Sequence, residues 1–544
     1  MVGRVDFRNA AELAVQNVIS HGDTDIFPFS FEQHSFYDKK KELLDLIVEY
    51  DTNFDDYINR FPPYNVNSLV PVTYTGFRWA TQIDPIWNLY FLTCVISICD
   101  KIEEARLDSN TVFSYRFKKD AGSGGIFDRN VGWRSFMEKS LQISADHKYV
   151  VSCDISEFYP RLGHHRLENA LKQVAGDTQY PKRIMEFLSN FSNTNSFGLP
   201  IGGPAARILS ELTINQVDRL LRSNGVEFVR FADDYHLFAN SREEAYRHLI
   251  FLSEKLLVNQ GLALQKSKTR IMTAAEFKAT NVLNDRDETA EPEVTGEAAA
   301  AAHRARQLLH ISLRFDPYSP TADKDYERLK AEIKNFDVIG LLRDEIKKSR
   351  IHMALAKKII SAIRFLDGKA RDNAVLSLLE NFDVLYPVFG SVLLTIETVI
   401  NELGDDTKKI IVEKIHELIK SDSHVVRVDV YLCFAIRVLS KIQTPENMSI
   451  LQEIYRNRSS ALIRRDIILV MAKWGEWYWL SDLKNRFREL TSPERRAFIV
   501  ASYRLKDEGG HWRDHLKSEF NPFEKFVLKW AGEKAGNPKW SIPL

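Results

Sequence analysis

Cysteine is scarce in this chain. Only four occur among 544 residues, at Cys94, Cys99, Cys153 and Cys433. None forms a CxxC pair or a Cys/His cluster, which argues against a zinc site, and scattered thiols fit a reducing compartment. An excess of charge of one sign is missing too, because 74 Lys+Arg balance 74 Asp+Glu. No global basic field announces a nucleic-acid partner, so any such surface must be local. No run of about 18 apolar residues occurs, and none is expected to span a membrane. The opening residues MVGRVDFRNAAELAV lack the charged-then-apolar profile of a secretory leader. Together these absences predict a cytoplasmic chain with no membrane partner. What is present is ordinary for a globular protein, with 44% hydrophobic and 27% charged residues. The length calls for two or three cores rather than one.

Three textures follow one another. Residues 1–145 are mixed and aromatic-rich, punctuated at Pro62-Pro63 and at AGSGG (Ala121 to Gly125). Residues 146–280 alternate β-branched runs with amphipathic helices. KYVVSCD (Lys148 to Asp154) predicts a strand that ends in an acid. GGPAARILSELTINQVDRLL (Gly202 to Leu221) carries Ile208, Leu209, Leu212, Val217, Leu220 and Leu221 at helical spacing. EFVRFA and YHLF read as two strands around the Asp233-Asp234 turn, and LALQKSKT (Leu262 to Thr269) as a further strand. Ser241 followed by Glu244 is a capping box that opens a helix, which Gly261 closes. Residues 281–304 are acidic, then alanine-rich, and read as a linker. From 305 to 544 amphipathic helices succeed one another, among them KKIIVEKIHELIK and VYLCFAIRVLSKI. An Arg pair precedes an apolar run at Arg464-Arg465 and again 31 residues on at Arg495-Arg496, and Arg427, before VDVYLCFAIRVL, is read as an earlier copy. This predicts a degenerate HEAT-like helical repeat. The expected fold class is α+β followed by an all-α repeat domain.

The chemistry sits in the middle segment. Asp154 ends one strand, and Asp233 and Asp234 occupy a hairpin tip. An Asp-Asp pair between strands is by itself an ordinary turn. The ordered set of four blocks says more: CDISEFYP (Cys153 to Pro160), GLPIGGPAA (Gly198 to Ala206), RFADDYHLF (Arg230 to Phe238) and LALQKSKT. If the strands are neighbours in one antiparallel sheet, the three acids converge. Clustered carboxylates repel, and a hard divalent cation offsets that repulsion through oxygen ligands. Two such ions can lower the pKa of an attacking hydroxyl and hold a triphosphate with its leaving group.

These blocks resemble palm motifs A, B, C and D of reverse transcriptases, over about residues 70–280. The family's motif C is an aromatic-x-Asp-Asp box, here Phe231-Ala232-Asp233-Asp234. The resemblance implies right-hand fingers and palm, with fingers in 1–145 and palm in 146–280. It implies two magnesium ions, with manganese able to replace them, on Asp154, Asp233, Asp234 and the backbone carbonyl of Ile155. It makes Tyr159 the ring that rejects a 2′-hydroxyl and so selects deoxynucleotides. Lys268 matches the motif D lysine, a general acid for pyrophosphate. Arg78 matches a fingers arginine that grips the triphosphate, while Arg116, Lys118 and Lys119 offer phosphate or template contacts. Motif B departs from the family: Leu199-Pro200-Ile201-Gly202 stands where Leu-Pro-Gln-Gly is usual, and Ile201 cannot hydrogen-bond.

Ile201, the VFSYRF block and the helical C-terminus together resemble the abortive-infection reverse transcriptases of bacteria, which are phage-defence proteins. That narrower resemblance implies homo-oligomers and protein-primed, template-independent DNA synthesis, with deoxynucleoside triphosphates and single-stranded DNA product as partners. Two other functions stay open at this point. One is a templated RNA-directed DNA polymerase using a dedicated non-coding RNA. The other is a helical-repeat interaction protein with an inactive palm.

Overall fold

The structure, a computed structural model, describes residues 7–24, 26–120, 124–192, 195–280, 308, 322–334, 336–348 and 350–544. Part of AGSGG and all of the expected linker lie outside the described residues. The strands are β1 (Val66–Pro71), β2 (Phe77–Gln82), β3 (Phe117–Asp120), β4 (Gly125–Phe127), β5 (Tyr149–Asp154), β6 (Phe228–Phe231), β7 (Asp234–Ala239) and β8 (Arg270–Thr273). β1 pairs with β2 and β3 with β4, and the remaining strands form one sheet in the order β6-β7-β5-β8. All three pairings in that sheet are antiparallel.

The chain divides into two compact units. The first comprises residues 1–25, 35–65 and 81–291 and contains the four-stranded sheet. Most of the segment expected as fingers, residues 1–25, 35–65 and 81–145, shares this unit with the segment expected as palm, whereas 26–34 and 66–80 do not. Its β5 is central, which is why KYVVSCD is apolar on both faces. Val150, Val229 and Phe238 bury one face against Phe113, Phe136, Met137 and Phe277. The period of two turns Val151 and Leu237, which sit opposite each other, to the other side. The Arg242–Lys255 helix starts where Ser241 accepts a hydrogen bond from the Glu244 N–H. After one π-turn at Leu256–Gln260 it ends at Gly261, with φ +68°. The motif D stretch departs from its expected form. Residues 262–269 make one bridge at Leu264 and then a turn, and the strand proper begins at Arg270. A Lys-Ser-Lys segment has little side chain to bury on a sheet face, so the turn prevails.

The second unit comprises residues 26–34, 66–80 and 292–544. After β8 no strand occurs among the described residues, and no described helix is long and apolar enough to cross a membrane. The helices Phe389–Val399, Asp429–Leu439, Ala461–Trp474, Ser492–Ala501 and Pro522–Ala535 each pack on the next. Helices at Asp405–Lys420, Pro445–Asn457, Trp477–Asn485 and Lys506–Leu516 alternate with them. The repeated Arg pair has a physical meaning here. Arg495 Nε lies 2.7 Å from Glu524 Oε1, and Arg464 Nη1 3.9 Å from Glu494 Oε1. Both glutamates close a capping box at the start of the following helix, with Thr491 and Asn521. The first arginine of each pair therefore reaches the cap of the next helix. The second is buried: Arg465 on Asp466, and Arg496 on Glu32 at 2.8 Å. Arg427 does not repeat this pattern. It is exposed on Asp422, and the arginine that joins the next helix of the stack is the buried Arg437, on Asp466 inside that helix and not at its cap, at 2.7 Å.

Glu524 is buried, so replacing it removes a cap and strands a guanidinium together. Glu524→Ala is expected to cost about 2–4 kcal/mol, and Glu524→Gln roughly half as much, because the amide can still accept from the Asn521 N–H. Urea unfolding followed by circular dichroism measures this. A loss below about 0.5 kcal/mol for the alanine variant would mean the link does not lock the stack.

Candidate active site

Antiparallel pairing sets the site. Asp154 at the end of β5 stands directly opposite Asp234 at the start of β7. Residues directly opposite in such a ladder carry their side chains to the same face. Phe231 and Asp234 close the β6–β7 hairpin, with Ala232 and Asp233 as its two-residue loop. Ala232 has φ +53°, while Asp233 does not lie in that region. A positive φ at the first central position alone is the pattern of a type II′ turn, where glycine is usual. With a Cβ the conformation costs about 1–2 kcal/mol. Tyr115 and Glu157, with φ +48° and +49°, are also strained. Ala232 and Glu157 belong to the blocks that carry the candidate chemistry, and the Tyr115 ring lies 5.9 Å from that of Phe231 in the same hairpin, while Asp422 and Lys506 share the positive φ far along the chain.

The motifs are tied together by backbone. The Ile155 N–H donates to the Asp233 carbonyl at 3.0 Å, fastening motif A to the hairpin tip. The Gln265 N–H donates to the Asp154 carbonyl at 2.8 Å. That bond seats the Gln265–Lys268 turn, and Lys268 Nζ then reaches Asp154 Oδ2 at 2.5 Å. Leu199 N–H donates to the Tyr159 carbonyl at 3.0 Å, which joins motif B to motif A. Gly202 has φ +115°, a conformation open only to glycine, and Pro204 begins the helix that follows. Ile201 is half-buried and lines a small cavity with Thr81, Gln82 and Asn88.

Electrostatics show how concentrated the charge is. Burial, and next the carboxylate of Asp154, push Asp233 up to about 6. Burial, then Asp233 and Asp154, push Asp234 up to about 7. Burial alone would lower Lys268, but its bond to Asp154 and the nearby aspartates outweigh that and hold it above the ordinary lysine value. Among the described residues, no three acidic, histidine or cysteine side chains enclose a common point as one ion would require. The expected close convergence is therefore not what the side chains adopt: carboxylates repel, and the nearest cation, Lys268, takes one of them. The donor set nevertheless fits a hard divalent cation, because three carboxylates share one corner of the sheet with only Lys268 to offset them, and burial and mutual repulsion raise Asp233 and Asp234. Asp154, Asp233, Asp234 and the Ile155 carbonyl are the groups that would hold it.

The remaining expected site residues fall in different places. Tyr159 is partly exposed, with its hydroxyl near that of Tyr115, whereas Phe158 is in the core. Arg207, on the motif B helix, stacks its guanidinium over the Tyr115 ring at 5.4 Å. Arg78 is exposed on β2 and belongs to the second compact unit. Arg116 faces inward. Its guanidinium donates to the Val112 carbonyl at 2.8 Å and to that of Leu107, and it pairs with Glu103. It therefore braces the VFSYRF segment instead of presenting a free phosphate contact, as the sequence had led us to expect. Lys118 and Lys119 pair with Asp128 and Asp100 near the surface.

One group of residues went unnoticed in the sequence. Beneath the hairpin, Arg230 is fully buried, and its guanidinium meets Asp218 and Glu211. Arg106 Nη2 donates to Glu211 Oε2 at 2.7 Å and to the Ser114 carbonyl at 2.7 Å. Ser114 Oγ donates to Glu211 Oε1 at 2.6 Å. Two arginines and two acids make a neutral buried set. A helix-face pattern gives one hint of it, since Glu211 and Asp218 lie on the apolar side of the Pro204–Ser223 helix.

Residues 93–298, which contain all four motifs, match the family model for reverse transcriptase (RNA-dependent DNA polymerase). No curated protein matches the chain. Among solved structures, telomerase from Candida albicans in complex with a fragment of telomeric RNA aligns at 10% identity and a TM-score of 0.28, covering 77% of this chain and 67% of that one. Apo telomerase from Candida tropicalis aligns at 10% identity and the same TM-score, covering 78% and 72%.

Proposed function

We propose, from the premise that residues 93–298 are a reverse-transcriptase domain and the chain therefore a nucleotidyltransferase of the DNA-polymerase kind, that it is a phage-defence polymerase that starts DNA on its own polypeptide without a template. The observation that carries the polymerase reading is the register of Asp154 against Asp234, with Asp233 at the adjoining tip. Reverse-transcriptase domains use divalent ions, typically magnesium. When bound, two such ions would supply hydroxyl activation and charge neutralisation at the triphosphate. The chain's own part is to hold those ions, to place the Tyr159 ring against the sugar, and to keep the charged Lys268 beside the leaving group. In this role Lys268 gives its proton to pyrophosphate.

Ile201 supports untemplated synthesis. Its side chain has no hydrogen-bonding atom to help seat a base pair, although it stands beside Gln82 and Asn88. The stacked helices of the second unit support a HEAT-like solenoid whose long surface mediates self-association. A second reading, a templated RNA-directed DNA polymerase, is favoured by the description of the matching family itself.

Incubation of purified protein with each labelled deoxynucleotide and magnesium, without added nucleic acid, decides between them. We expect label covalently attached to the polypeptide, resistant to denaturation and ribonuclease, and released as free DNA by protease. Product that appears only with an added RNA, and is complementary to it, would establish the templated reading instead.

A further inference from the structure

The hairpin that presents Asp233 is strained, and something must hold it. Ala232 is buried at φ +53° with a Cβ where glycine is favoured. Its carbonyl accepts a hydrogen bond from Arg230 Nη1 at 2.8 Å. Arg230 is two residues earlier on β6, so the bond closes the turn on itself from beneath. The rest of the guanidinium is fixed. Nε donates to both oxygens of Asp218, at 2.9 and 3.1 Å, and Nη2 to Asp218 at 2.6 Å and Glu211 at 2.9 Å. Nη1 also meets Glu211 Oε1 at 3.2 Å. Asp218 is held in turn by Tyr235 Oη at 2.9 Å. Arg230, Glu211, Asp218 and Tyr235 are all buried, so no water competes for these bonds. A planar fork with five donors meets both carboxylates and the carbonyl along its whole edge, whereas a lysine ammonium offers three donors from a single point. The Arg230 main chain is anchored as well, donating to the Thr111 carbonyl and accepting from the Phe113 N–H, at 2.8 and 2.9 Å.

We infer that Arg230 is a positioning residue: it holds the Ala232–Asp233 turn in its strained form so that the Asp233 carboxylate is presented to the ion. Asp218 and Glu211 hold Arg230 in that task. This inference rests on the proposed reading of Asp233 as a metal ligand. A simple core ion cluster would predict loss of stability alone.

The test is Mn2+ binding to the full chain, followed by electron paramagnetic resonance, beside thermal unfolding. Arg230→Lys keeps the charge and loses the fork. It should weaken Mn2+ binding about 10-fold or more, as removal of a ligand's supporting partner does. Tyr235→Phe keeps the ring and removes one of the bonds to Asp218 Oδ1, which Arg230 Nε still holds. It should weaken binding about 5-fold, the equivalent of one ordinary hydrogen bond. Leu171→Ala, in the core of the same unit and remote from the cluster in sequence, is the control for lost stability and should leave Mn2+ affinity unchanged. Should Arg230→Lys not fold, Tyr235→Phe carries the test. Unchanged affinity in every folded cluster variant overturns the inference. Asp233→Asn separates the two failures: if it too leaves binding unchanged, the ligand reading itself is wrong, and if it alone abolishes binding, only the role of Arg230 is.

Discussion

Asp233→Asn is expected to lower deoxynucleotide incorporation on the order of 10³-fold or more while making the metal-free protein more stable at pH 8. The two effects share one cause. Asp233 is set in a buried site beside Asp154, which pushes it from 3.8 up to about 6, and Asp234 is pushed up to about 7. Between those values and the ordinary one, the folded chain keeps protons that the unfolded chain has released. The stability these groups contribute is complete below pH 3.8 and is lost as pH rises through about 6 to 7. At pH 8 the wild type bears the full repulsion, and an asparagine of the same shape removes one charge from it. The gain should be on the order of 1–3 kcal/mol at pH 8 and should vanish near pH 4. A divalent cation would reverse the order, because it stabilises the wild type and not the variant. Thermal unfolding in EDTA at pH 4 and pH 8, with an incorporation assay alongside, measures both. Retained activity would remove Asp233 from the chemistry. A variant less stable at both pH values would mean the residue is a structural turn acid.

Tyr159→Ala should relax sugar selection on the order of 10- to 100-fold in competition between ribo- and deoxynucleotides, the scale on which a pocket discriminates by shape. The ring is partly exposed and packs against the buried Phe158 ring at 5.3 Å, with its hydroxyl near Tyr115, whose own ring is capped by Arg207. It is thus a rigid surface, which steric exclusion requires. The neighbouring Phe158 is the informative contrast. It is only 3% exposed, so Phe158→Ala should destabilise by about 3–5 kcal/mol and leave the ratio alone. If instead the phenylalanine variant alters the ratio and the tyrosine variant does not, the two rings have exchanged roles.

Much of this site could be read along the chain, because the relevant forces act over a few residues. The β-branched run before Asp154, the two short apolar runs around Asp233 and Asp234, the Ser241–Glu244 cap and the Gly261 stop became β5, β6, β7 and one capped helix. Period, cap and turn preferences are local, so they survive whatever the rest of the chain does. The run at Leu262 to Thr269 failed for the same reason in reverse: its apolar alternation is too short to hold a strand, and a turn places Lys268 on Asp154.

Tertiary structure alone decided the rest. Arg116 and Arg230 are both arginines beside aromatic residues, and nothing local separates a phosphate contact from a buried brace. The difference is made by Glu103, Glu211 and Asp218, which meet them only once the chain has folded. The Arg464–Arg465 and Arg495–Arg496 repeat was visible as a pattern, but its partners, the capping glutamates of the next helix, were not. The sequence by itself determined the elements and the order of the acids, since those follow from nearest-neighbour preferences. Which charges are buried, and what neutralises them, depends on contacts far apart in the chain. A buried charge is tolerated only where the fold brings its partner to it.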